Sequence, residues 1–248
     1  MDKTTAQQGH FYAIGVGPGS SDMLTIRAAR LLEQCDAVFA PQAQNSTRCL
    51  ALEAARPYLD AAEVVVSSYP MRRDAAATGA HWGKLAQDIA SRCAAGQVVA
   101  QITLGDPLIY ATTSYLLAEL TALMDSARLH IVPGISAFQI SASRFGLPLT
   151  LQEDRLTLMT ATDLDAVDQA LDNCETLVLY KAGGNIDALL KLLQRRDLLA
   201  ATRLVSCGEQ GERELIIDDL SHWQKTELNY MTTVIVRSGH RRWQRDND

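Results

Sequence analysis

Between Val98 and Tyr110 the chain reads Val-Val-Ala-Gln-Ile-Thr-Leu-Gly-Asp-Pro-Leu-Ile-Tyr, and its chemistry begins where the apolar run stops. Gly105 lets the backbone turn or approach a ligand closely, and Pro107 withholds a donor from any strand ladder. Asp106, between them, is offered at the carboxyl end of a strand, the edge where open parallel sheets bind ligands. A second candidate is Ser67-Ser-Tyr-Pro-Met-Arg-Arg-Asp74, which follows the apolar run Val64-Val65-Val66. Its pair, Arg72 and Arg73, could grip anionic groups through charge-assisted hydrogen bonds. Taken singly, Gly-Asp-Pro is also an ordinary turn, and paired arginines are ordinary solvated charges.

Other chemistries lack their residues. No His-Glu-x-x-His, Gly-x-Ser-x-Gly or Walker pattern occurs, and the five histidines (His10, His81, His130, His222, His240) have no ligand spacing. The cysteines Cys35, Cys49, Cys93, Cys174 and Cys207 are odd in number and contain no Cys-x-x-Cys pair, so they form neither a zinc site nor a disulfide framework. No metal is expected, and no residue is assigned as catalytic acid, base or nucleophile. A reaction governed by positioning fits this inventory.

The glycine loop Gly15-Val-Gly-Pro-Gly-Ser-Ser-Asp22 imitates a dinucleotide motif, with Asp36 at a suitable distance. Its glycines at 15, 17 and 19 are spaced G-x-G-x-G, however, and Pro18 removes a backbone donor. Asp36 also precedes its strand instead of ending it. A tight strand-to-helix connection is the better reading.

Around these loops, strands and helices alternate. Strands are predicted at Phe11–Val16, Ala37–Ala40, Val64–Val66, the run before Gly105, and Leu129–Val132. Helical stripes follow, including Trp82, Leu85, Ala86, Ile89 and Cys93, and then Leu116, Leu120, Leu123 and Met124. Alternation implies parallel strands with right-handed crossovers, which gather Gly15–Ser20, Ser67–Asp74, Gly105–Tyr110 and Pro133–Ala137 on one edge. Beyond Leu147-Pro148 strands are predicted at Leu156–Thr160, Thr176–Tyr180, Arg203–Ser206, Glu214–Ile217 and Thr232–Val236. The link Cys207-Gly-Glu-Gln-Gly211 is too short for a crossover helix, so its flanking strands should pair antiparallel. The expectation is two α/β domains, 11–150 with a parallel sheet and 151–238 with a mixed sheet. A small-molecule site would lie in the cleft between them.

Bulk properties narrow the class. In 248 residues, 47% hydrophobic and 21% charged, there is material for a substantial core. A net charge of −6 argues against a nucleic-acid binder, though local arginines can still hold an anionic small molecule. Residues Met1–His10 are polar with no signal-peptide core, and no apolar run is long enough to span a bilayer. A cytoplasmic location away from membranes is expected.

Gly-Val-Gly-Pro-Gly, Leu-Gly-Asp-Pro-Leu-Ile-Tyr and Val-Pro-Gly-Ile-Ser-Ala, in this order, resemble the tetrapyrrole methylases. These are two-domain α/β enzymes of cobalamin and sirohaem synthesis that use S-adenosylmethionine. The Ser-Tyr-Pro-Met-Arg-Arg-Asp segment, Trp82 and Met-Thr-Ala-Thr162 look most like the branch that methylates C-20 of precorrin-2. The resemblance implies that Leu104, Gly105, Asp106, Ile109, Ser136, Ala137, Tyr180 and Thr233 (or its neighbour Thr232) contact S-adenosylmethionine. Gly17, Pro18 and Gly19 would face the tetrapyrrole, with Arg72 and Arg73 on its carboxylates and Arg27, Arg48 and Arg144 as weaker candidates. Where relatives often carry an acid after the third glycine, this chain has Ser20-Ser21-Asp22, so Asp22 would have to serve from a shifted register. The family also implies a homodimer. Two alternatives remain: methylation at another ring carbon, and a non-catalytic module that binds a nucleotide or tetrapyrrole.

Overall fold

A computed structural model describes residues 3–43, 47–69 and 75–238. The chain divides into two compact units between Ser136 and Ala137.

The first unit alternates β1 (Phe11–Gly15), α1 (Ile26–Leu32), β2 (Ala37–Ala43), α2 (Leu50–Ala55), β3 (Glu63–Tyr69), α3 (Ala75–Ala94), β4 (Val99–Thr103), α4 (Thr113–Leu123) and β5 (Leu129–Val132). Its strands lie in the order β3-β2-β4-β1-β5, and every pairing is parallel. All residues of β1 and β4 are buried, as their uncharged sequences require of strands covered on both faces. On one face Ile14, Val38 and Ile102 pack with Leu31 and Leu32 of α1 and Ala54 of α2. On the other, Phe11, Phe39 and Val99 meet Trp82, Ala86 and Ile89 of α3 and Leu116 and Leu120 of α4. Leu123, expected on that stripe, is instead 49% exposed at the end of α4. Pro41 is tolerated within β2 because pairing with β4 stops at Phe39, leaving only β3 alongside.

Asp36 has a structural task that removes the dinucleotide reading: its carboxylate accepts the Val98 N–H at 2.7 Å, before β4. At this amino end His10 Nδ1 and His130 Nε2 are 2.8 Å apart, and the His130 ring also stacks on Tyr12. Burial holds both imidazoles below their ordinary value of 6.5, with Arg128 adding to the effect on His10 and His10 to that on His130. Because the folded values are depressed, the stability linked to these groups is present above pH 6.5 and is lost as the pH falls below it. The unfolding midpoint should therefore drop between pH 7 and pH 5, and His130→Phe, which keeps the ring stacking, should flatten the drop. Identical acid profiles for the two proteins would contradict this.

The second unit comprises α5 (Ala137–Arg144), β6 (Leu156–Thr160), α6 (Leu164–Ala170), β7 (Thr176–Tyr180), α7 (Ile186–Arg195), β8 (Thr202–Ser206), β9 (Leu215–Ile217) and β10 (Thr232–Arg237). The sheet order is β6-β7-β10-β8-β9, with β6 and β7 parallel and the other pairs antiparallel. Leu177, Leu179, Leu204, Val234 and Val236 form its core with Leu189, Leu192 and Leu193 of α7 and Val167 of α6. The short link between β8 and β9 gives the expected antiparallel pair, Leu204 opposite Ile217. Among the described residues no helix is long and apolar enough to cross a membrane.

Candidate functional site

Parallel pairing places the carboxyl ends of β1, β4 and β5 side by side in the first unit, and their loops interlock. Val16 N–H donates to the Thr103 carbonyl at 2.9 Å, and Gly105 N–H to the Gly17 carbonyl at 2.6 Å. A Cβ on Gly15 would lie 2.6 Å from both the Gly105 carbonyl oxygen and the Gly134 nitrogen. At Gly134 it would lie 2.1 Å from the same carbonyl oxygen. Only glycine allows three backbones to converge this tightly.

Asp106 completes the lock. One carboxylate oxygen accepts Leu108 N–H at 2.9 Å, and the other accepts Gly134 N–H at 3.1 Å, tying the loop after β4 to the loop after β5. Its work here is to hold two loops in register. Gly105 differs from its glycine neighbours. Its φ is +78°, but among the described residues a Cβ there would meet nothing nearer than the Ser136 Cα at 4.0 Å. One face of Gly105 is thus open backbone, bordered by buried Ser136.

Leu104, Gly105, Asp106, Ser136, Gly17 and Pro18 belong to this cluster of loops, with Ile109 N–H lying 3.4 Å from the Asp106 carbonyl oxygen. Gly19 continues the glycine loop, and the exposed Asp22 carboxylate accepts from the Ser20 hydroxyl. Ala137, Tyr180 and Thr233 are in the second unit. There Tyr180 ends β7 and Thr233 is buried within β10 opposite Val205. The next residue, Lys181, adopts a left-handed φ of 60° and places its ammonium 5.5 Å from the centre of the Tyr230 ring. Arg72 and Arg73 lie outside the described residues.

Two weaker arginine candidates have other duties. Arg144 is held by Glu209 at 2.5 Å and Glu214 at 2.7 Å, and Arg48 pairs with Glu53. Burial pushes the Cys35 thiol up to about 12 and that of Cys93 to about 11, so neither is a thiolate near neutrality. Among the described residues no group of three or more His, Cys, Asp or Glu could hold a metal ion. What the site offers is glycine backbone, an open face at Gly105 and a rigid carboxylate brace. Such a surface can position a ligand.

A family model for the tetrapyrrole (corrin/porphyrin) methylases matches residues 10–217. The chain therefore belongs to the tetrapyrrole methylases. It is 34% identical over 236 residues to the cobalt-precorrin-2 C(20)-methyltransferase of Salmonella typhimurium, covering 92% of this chain and 96% of that one. It is 29% identical over 243 residues to the precorrin-2 C(20)-methyltransferase of a Sinorhizobium species, covering 92% and 95%. In fold it resembles cobalt precorrin-4 methyltransferase, with a TM-score of 0.69 at 18% identity and coverage of 92% and 94%. It likewise resembles the uroporphyrin-III C-methyltransferase of Thermus thermophilus complexed with S-adenosylhomocysteine (TM-score 0.63, 18% identity, 92% and 96% covered).

Proposed function

We infer that this chain is an S-adenosylmethionine-dependent C-methyltransferase that methylates C-20 of precorrin-2 or its cobalt complex, a step of corrin synthesis. The similarity to two C-20 enzymes along nearly the whole of both chains supports the position methylated. The observation that carries the reading at the level of the site is Gly105. Its open, left-handed backbone at the carboxyl edge can take a ligand at a distance that a side chain would forbid.

The residues present fit the methyl donor. Leu104, Gly105, Ile109 and Ser136, all in the first unit, would hold it. When bound, the donor supplies a methyl group already activated on a sulfonium. The protein's part is to align that methyl with an electron-rich meso carbon and to keep water out. Asp106 serves this by bracing the loop, since both of its oxygens already accept backbone hydrogen bonds. Gly17, Pro18 and Gly19 would present the glycine loop to the macrocycle. A homodimer is proposed on the family resemblance, and a solution mass equal to one 27.1 kDa chain would contradict it.

Arg72 and Arg73 are proposed to grip the substrate's carboxylates. Alanine at both should raise the tetrapyrrole KM about tenfold or more, the effect of losing a charge-assisted hydrogen bond of ~1.5–3 kcal/mol, with donor affinity nearly unchanged. Steady-state kinetics equal to those of the unmodified enzyme would return both residues to solvated charges. The identity of the reaction is tested by offering precorrin-2 and cobalt-precorrin-2 in parallel with labelled S-adenosylmethionine and locating the label by NMR.

A further inference from the structure

The segment that carries Gly105, Asp106 and Ile109 leaves β4 at Thr103 and re-enters regular structure at Thr113, the first residue of α4. The hydroxyls of these two threonines meet at 2.5 Å, with Thr113 fully buried and Thr103 6% exposed. Thr103 also receives Val16 N–H on its carbonyl, so one residue anchors both the glycine loop and the start of the Gly-Asp-Pro loop. Thr112, the residue before α4, gives the helix no side-chain cap.

Two hydroxyls inside an apolar layer are a poor choice if stability alone matters. Buried hydroxyls cost free energy unless paired, and two apolar groups of the same shape would serve the core about as well. A hydrogen bond, unlike a valine–valine contact, sets both direction and separation within a few tenths of an ångström. We propose that Thr103 and Thr113 are positioning residues, a clasp closing the base of the 104–112 loop so that the open face of Gly105 is held where the methyl donor needs it. This rests on the reading of that loop as the donor site.

The test compares Thr103→Val, Thr113→Val, the double variant and Thr103→Ser by thermal unfolding and by calorimetry with S-adenosylhomocysteine. Either single valine strands a buried hydroxyl, so both unfolding midpoint and affinity should fall. In the double variant no hydroxyl is stranded: the midpoint should return to that of the parent protein while affinity stays about tenfold lower. Thr103→Ser should keep both. Affinity recovering together with stability in the double variant would overturn the clasp. Amide exchange supplies a readout that needs no ligand. The clasp requires faster exchange at Gly105, Asp106, Leu108 and Ile109 in the double variant, with β1 and β4 unchanged, and equal exchange would overturn it whatever binds. A parent protein that binds no S-adenosylhomocysteine would refute the donor-site reading, and the exchange comparison would then judge the clasp alone.

Discussion

Replacing Gly105 by leucine is expected to abolish S-adenosylmethionine binding while the chain still unfolds cooperatively. The two effects have separate origins. At φ +78° an L side chain is strained whatever space surrounds it, at a cost of about 1–2 kcal/mol, which a domain of this size survives. Among the described residues the space around a Cβ there is open, so the leucine is expected to extend over the face where the donor would rest. Gly105→Ala separates strain from obstruction, because it carries the same backbone penalty with only a methyl group. It should lose similar stability and retain weakened binding. Unchanged affinity in a folded Gly105→Leu protein would remove the donor from this face.

The second large effect is expected at Gly134. A Cβ there would sit 2.1 Å from the Gly105 carbonyl oxygen and 2.8 Å from the Gly15 carbonyl carbon. Both are backbone atoms, so no side chain can swing aside and the loops themselves must separate. Overpacking of this kind costs about 1–3 kcal/mol in stability. Separation would also stretch the Gly134–Asp106 bond that registers the two loops. Gly134→Ala should therefore lower the unfolding midpoint and weaken donor binding at least tenfold, although no atom is added to the Gly105 face. Calorimetry and thermal unfolding that match the parent protein would show that the three-loop lock has slack which these distances deny.

Much of the fold was legible because burial on both faces selects a plain residue pattern. The uncharged stretches at Phe11 and Val99 became the two fully buried strands, and the link at Cys207 forced its neighbours into an antiparallel pair. Elements with a weaker imprint were missed. The six residues of α2 are too few to show a stripe, and Leu123 has apolar character without a partner surface. Gln101 reads as part of an apolar strand, yet it is a polar side chain at 1% exposure with no hydrogen bond for either amide atom.

The loops of the candidate site were legible and their wiring was hidden. Gly-Asp-Pro, the glycine loop and Pro-Gly-Ile announce themselves as unusual turns, and alternation places them on one edge. That Asp106 reaches the backbone of Gly134, or that Thr103 finds Thr113, is set by tertiary approach and has no local pattern. The same reason explains Arg144, which looked like a charge available to substrate. The carboxylates that claim it, Glu209 and Glu214, lie across a fold that spacing alone does not describe.

The central claim is methyl transfer to one carbon of one macrocycle, and it is tested most directly by incubating the protein with precorrin-2 and S-adenosylmethionine carrying a ¹³C-methyl group. The expected product gains a single labelled methyl, and its carbon spectrum places that methyl on C-20. Label at another ring carbon would keep the chemistry and overturn the assigned position. No label in the pigment, with either precorrin-2 or its cobalt complex and with folded protein, would contradict the account.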